Sequence, residues 1–117
     1  MIIETAGIKF VVDNEIERYR AETLLTKEPG TIAWLDRLGP GDGLYDVGAN
    51  IGCYTLYAAK RGVMVYAFEP HVGNAWKLMQ NVAANNLGNK IEVYSIGLGQ
   101  RRSEYQSFNY ASVSAGS

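Results

Sequence analysis

The chain has one cysteine, Cys53, and one histidine, His71, in 117 residues. A lone thiol cannot build a disulfide framework or a cysteine-based metal cluster. It fits a reducing compartment, so a cytoplasmic location is expected. An excess of charge is missing too: 11 Lys and Arg face 12 Asp and Glu, for a formal net charge of −1. That balance argues against a nucleic-acid backbone or an anionic membrane as partner. Long apolar runs are absent. The longest, Val63 to Phe68, is far too short to span a bilayer. The start, Met1-Ile2-Ile3-Glu4, lacks the basic residues and long apolar stretch of a secretory signal. No internal repeat or low-complexity stretch is visible.

What remains is ordinary for a globular domain, with 47% apolar and 20% charged residues. The length allows one domain with a real core. Residues 1–43 read as a preamble. Ile2-Ile3 and Ile8 to Val12 flank Ala6-Gly7 as a small hairpin. Asp13 can cap a helix with Ile16, Tyr19, Arg20, Thr23 and Leu24 inward and Glu15, Glu17, Arg18 and Glu22 outward. Pro29 starts a second helix with the stripe Ile32, Leu35 and Leu38. Gly39 to Gly43 is a turn.

Residues 44–111 carry the repeating unit. Leu44 to Val47 reads as a buried strand. Gly52 to Arg61 reads as a helix with Tyr54, Thr55, Ala58 and Ala59 inward. Val63 to Phe68 is unbroken in its apolar character, as a central parallel strand should be. Val72 to Asn85 is a helix with Val72, Ala75, Trp76, Met79, Val82 and Ala83 on its inner face, ended by Gly88. Ile91 to Ile96 is a third strand, and Glu104 to Tyr110 reads as one more. Strands alternating with helices imply an α/β fold with a parallel sheet. The tail, 112–117, reads as disordered.

The informative segment is Asp46-Val47-Gly48-Ala49-Asn50-Ile51-Gly52. A strand that turns abruptly into a helix needs backbone angles that glycine tolerates, and a missing side chain lets a ligand approach. The helix start offers unpaired N–H groups. Asp46 can accept from a cationic ligand group or hold the loop amides. Glu69 follows at the end of the next strand, where an acidic residue about 20 positions on can hold ribose hydroxyls. A dinucleotide fingerprint needs Gly-x-Gly-x-x-Gly, yet its second and third positions here are Asn50 and Cys53. The turn therefore suits a ligand with no pyrophosphate to cradle.

This pattern, with Phe68-Glu69-Pro70 and then Leu78-x-x-Asn81-x-x-x-Asn85, resembles the FkbM-type S-adenosylmethionine-dependent methyltransferases. Ile96-Gly97-Leu98-Gly99 is similar to that family's fourth-strand exit. The resemblance covers Glu28 to Gly99 and departs at Val72, where the family often has a second proline. It implies a Rossmann-like class I methyltransferase fold, S-adenosyl-L-methionine as cofactor, and a small-molecule or glycan hydroxyl as acceptor. By resemblance, Gly48, Asn50 and Gly52 would line the methionine part, Asp46 would support the loop or meet the amino group, Glu69 would hold the ribose, and Leu98 would pack near adenine. Glu28 reads as the cap before Pro29, and by resemblance it would face the cofactor. The family fold has seven strands and an Asp-x-Glu-Gly-type segment on a later strand. This chain shows about four strands and lacks that segment, so a truncated fold, inactive alone, is expected. With strand order 3-2-1-4, Ile91 to Ile96 would lie where a fifth strand should join. Its open edge would then favour a homo-oligomer.

Plainer readings stand beside these. An NAD(P)-binding domain and a non-catalytic oligomerising fragment are the alternatives. Gly48 and Gly52 could serve packing alone, and Glu69 could be a solvated strand end. Asn81 and Asn85, one turn apart, suit structural hydrogen bonding. His71 reads as a surface residue and Cys53 as a packing residue, although a first helix turn favours thiolate. Trp34 and Trp76 read as core, and Arg101-Arg102 as solvated.

Overall fold

The computed structural model describes residues 1–96. Leu98, the segment Glu104 to Tyr110 and the tail 112–117 lie outside the described residues. Strands β1 (Ile2–Thr5) and β2 (Ile8–Val11) form the expected antiparallel hairpin. Both turn residues, Ala6 and Gly7, have positive φ, 53° and 76°. That geometry matches the twist of the two strands. Alternation sends Ile8 and Phe10 into the core, and Val12 follows.

Helix α1 (Glu15–Glu22) is capped by Asn14 rather than Asp13. Asn14 Oδ1 accepts from the Glu17 N–H at 2.8 Å. Asp13 is engaged elsewhere: its N–H donates to Glu17 Oε1 at 2.7 Å, and its carboxylate pairs with Lys77. The inner face also differs from expectation. Glu17 and Ala21 are buried, while Ile16 and Tyr19 are exposed. Glu17 can be buried because Lys77 Nζ, also buried, lies 3.6 Å away. Helix α2 (Pro29–Leu35) begins at its proline and buries Ile32 and Leu35; Leu38, expected on its stripe, lies past its end and is half-buried.

The repeating unit follows as β3 (Gly43–Val47), α3 (Cys53–Lys60), β4 (Met64–Phe68), α4 (Val72–Ala84) and β5 (Ile91–Tyr94). The sheet is parallel, in the order β3-β4-β5. Strand β2 packs on both α3 and α4, so the two helices lie side by side on one sheet face. The layers run sheet, helices, hairpin. A single apolar cluster joins Ile8, Phe10 and Leu24 to Val65, Ala67 and Ile91.

This arrangement corrects two readings. Among the described residues strand β3 lies at the edge of the sheet and is not buried, with Tyr45 and Val47 exposed on the face away from the helices. Strand β4 is central but fully buried on one face only. Strand β5 lies at the end opposite β3. In a 3-2-1-4 order the next strand joins beside β3, so Ile91 to Ile96 does not mark the place for a further strand.

Helix α4 also turns another face inward. Asn74, Ala75, Lys77, Leu78, Asn81 and Val82 are buried, while Val72, Trp76, Met79 and Ala83 are exposed. Trp34 is likewise half exposed, so neither tryptophan is core. The helix ends at Asn86, with φ 55°. The Leu87 N–H donates to Val82 O at 3.1 Å, and the Asn86 N–H to Ala83 O at 3.2 Å. This is a Schellman closure completed before Gly88.

The polar side of α4 explains the choice of face. Asn85 Oδ1 accepts from the Lys9 N–H at 2.9 Å, and its Nδ2 donates to Lys9 O at 2.7 Å. Asn81 Oδ1 accepts from the Val11 N–H at 2.7 Å, and its Nδ2 donates to Ile51 O at 2.9 Å. Two side-chain amides thus take the place of a third strand along the free edge of β2. The structural role expected of this pair is the one observed.

Candidate functional site

Strand β3 leaves the sheet at Val47, and three residues at alternate positions turn the chain into α3. Gly48, Asn50 and Gly52 have φ of 75°, 60° and 101°. Asparagine is among the few residues besides glycine that visit this region. Asn50 is further held by Arg20, whose guanidinium donates to Asn50 Oδ1. The two glycines serve different ends. A Cβ on Gly48 would meet nothing within 4 Å, so that side of the turn is open. A Cβ on Gly52 would collide with Leu78 Cδ1 of α4. Gly52 is buried and does not line the cleft described below.

Strand β4 supplies the turn's anchor. The Gly48 and Ala49 N–H groups both donate to Phe68 O, at 2.8 and 3.1 Å. Glu69 is only 6% exposed, which removes the solvated strand-end reading. Its Oε1 accepts from the Asn50 N–H and its Oε2 from the His71 N–H, both at 2.8 Å. One carboxylate therefore fixes the turn after β3 and the turn after β4. Each oxygen keeps further acceptor capacity.

Asp46 turns Oδ2 to Thr55 Oγ1 at 2.6 Å. Burial pushes its carboxyl up from the usual carboxylate range; the Thr55 hydroxyl opposes the rise, and the Glu69 charge adds to it. Cys53 is a packing residue, as expected. Burial pushes its thiol up to about 12, overriding the helix start and the Arg20 and Lys27 charges, and Sγ rests 3.4 Å from Arg20 O. His71 is the N-cap of α4, its Nδ1 accepting from the Asn74 N–H at 3.2 Å.

A cleft of about 200 Å³ opens beside the turn. Gly48, Asn50, Cys53 and Tyr54 form one wall, and Arg20, Lys27 and Glu28 form the other. Glu28 occupies the cap position of α2 without a side-chain cap bond. Its Oε2 instead accepts from Tyr54 OH at 3.1 Å and Thr31 Oγ1 at 3.3 Å. Burial, then Glu28, pushes the Tyr54 hydroxyl up to about 12. Sequence reasoning missed Arg20, Lys27 and Tyr54 as cleft residues. No local pattern separates them from other charged or aromatic residues on short helices. A larger hollow, of about 310 Å³ beside Met1, Asp13 and Arg18, shares no residue with the turn. Among the described residues no group of His, Cys, Asp and Glu could hold a metal ion, and no helix is long and apolar enough to cross a membrane.

Residues 46–117 match the family model of the methyltransferase FkbM domain. A tRNA (guanine(37)-N(1))-methyltransferase of Leishmania major is 36% identical over 63 residues, which are 53% of this chain and 9% of that protein. Among solved structures, a SAM-dependent methyltransferase from Agrobacterium tumefaciens superposes with a TM-score of 0.64 at 12% identity, covering 81% of this chain and 31% of that one. The P. horikoshii TYW2 protein, in complex with MeSAdo, superposes with a TM-score of 0.61 at 16% identity, covering 82% and 35%. At these identities the two structures show a shared fold. The chain spans about a third of their length.

Proposed function

The chain belongs to the FkbM methyltransferase domain family, and from that premise we propose that it forms the S-adenosylmethionine-binding part of a methyltransferase acting on a small-molecule or glycan hydroxyl. The observation that carries this reading is the tie between the Gly48 to Gly52 turn and Glu69 across two neighbouring strand ends. Ligands of open parallel sheets bind at such strand ends.

The residues suit the cofactor. Gly48 presents an open, side-chain-free backbone for the methionine part, and Asn50 stands beside it. Asp46 supports the loop through Thr55. Gly52 lets the turn close against α4. Glu69, already oriented by two amides, has acceptor capacity left for the ribose hydroxyls. Leu98 is assigned to the adenine side by resemblance. When bound, S-adenosylmethionine would supply a sulfonium-borne methyl group for direct transfer. The protein's share is to align the reactants and exclude water. The chain covers a third of the solved relatives' length, and we expect the 117 residues alone to bind cofactor without transferring methyl groups.

An RNA acceptor is the second reading, favoured by the Leishmania major relative. The net charge of −1 gives it little support. Calorimetry with S-adenosylhomocysteine, with NAD as the control, tests the cofactor. Heat with the first alone is expected. Silence from a folded sample, or preference for NAD, would refute the reading.

A further inference from the structure

We propose that Asn81 is a positioning residue for the cofactor turn, and that through it the docked N-terminal hairpin sets the shape of Gly48 to Gly52. This rests on the cofactor reading above and adds to it a part that lies outside the cleft. Neither Asn81 nor any hairpin residue lines that cleft.

Burial is the first argument. Ile51 and Asn81 are both fully buried. A buried carbonyl needs a donor, and Ile51 O finds one in Asn81 Nδ2, 2.9 Å away. Ile51 sits between Asn50 and Gly52, both of positive φ. A residue other than glycine stays in that region only where its surroundings hold it. Glu69 holds the Asn50 N–H, Arg20 holds its side chain, and Asn81 holds the carbonyl one residue on.

The chemistry of the amide is the second. The other end of Asn81, Oδ1, accepts from the Val11 N–H of the hairpin at 2.7 Å. A carboxamide carries its acceptor at one end and its donors at the other. Flipped, it would set donor against the Val11 N–H and acceptor against Ile51 O. Each bond therefore fixes the orientation that the other needs.

Contact is the third. A Cβ on Gly52 would strike Leu78, one turn before Asn81 on the same buried face of α4. The turn thus rests on α4 at Leu78 and at Asn81, and the hairpin fixes the second support. Asn85 supplies a contrast. It holds the same hairpin at Lys9, and its remaining bond goes to Asn81 O.

The test measures S-adenosylhomocysteine binding to the full chain by calorimetry. Asn81→Leu, of similar volume, removes both bonds and should weaken binding roughly tenfold. Val11→Pro removes the hairpin's donor alone. Val11 turns its N–H to Asn81 and not to β1, so the hairpin ladder survives. It should weaken binding roughly threefold or more, and it decides the matter should Asn81→Leu not fold. Asn85→Ala loosens the hairpin at Lys9 and should bind as the parent does. That control separates positioning from a loss of stability. Parent-like affinity in Asn81→Leu or in Val11→Pro would overturn this inference alone. So would an Asn85→Ala protein weakened as much as Val11→Pro, since the hairpin would then act without Asn81. A parent that does not bind S-adenosylhomocysteine refutes the cofactor reading and this inference with it.

Discussion

Glu69 shows how one side chain can serve two turns. Its two oxygens satisfy the Asn50 and His71 amides inside the protein. Glu69→Ala should therefore unfold more easily, by about 3 kcal/mol, since charged hydrogen bonds are lost and donors are left unpaired. A urea midpoint equal to the parent's would take Glu69 out of the turn. Gly48 and Gly52 offer a paired test. Both have positive φ, so alanine at either should cost about 1–2 kcal/mol. Only Gly52→Ala adds a clash with Leu78, for a total of about 3 kcal/mol. Equal losses would mean that α4 yields to the added methyl. The glycines, Asn50 and Glu69 were legible in the sequence because they sit in one short run and its neighbouring strand end. The opposite wall of the cleft was not. Arg20 meets a turn 30 positions away, and nothing within its own helix marks it out.

At the scale of the element, α4 repays attention. Its existence and extent could be read from the sequence, but its inward face could not. The apolar count favours Val72, Trp76 and Met79. The buried side instead includes Lys77 and Asn81, because their partners wait on the hairpin and α1. The Lys77 to Asp13 pair spans 64 positions. A helical window holds none of these partners, so it scores the buried polar residues as outward. Strand β3 misleads for a similar reason: its composition suits burial, while one of its faces turns away from the helices and leaves Tyr45 and Val47 exposed. The two asparagines should differ sharply. Asn81 is fully buried, and Asn81→Ala leaves Val11 N–H and Ile51 O without partners, costing about 3 kcal/mol. Asn85→Ala should cost nearer about 1 kcal/mol, because water can reach the backbone of Lys9. Faster amide exchange at Val11 should accompany the first. Equal stabilities for the two variants would contradict the bridge.

At the scale of the whole molecule, one side of the sheet is uncovered among the described residues. Tyr45, Val47 and Tyr94 are exposed on the face away from the helices, with Tyr45 and Tyr94 each packed against Phe68. Among the described residues β3 has a neighbour on one side only. We expect the isolated chain to associate through this edge and face. Light scattering at micromolar concentration should give at least twice the chain mass, and Val47→Lys should shift it toward monomer. A parent that stays monomeric would refute this.

The asparagine bridge also bears on the order in which the chain can fold. Lys9 and Val11 find their α4 partners 76 and 70 positions later. Closing a loop that long costs roughly 4 kcal/mol in chain entropy before any contact repays it. The hairpin precedes α4 in the chain, so the asparagine bridge closes only after that helix is made. Until α4 emerges, the edge of β2 lacks the two amides that satisfy Lys9 and Val11. Through that interval the edge of β2 stays open to chaperones and proteases alike.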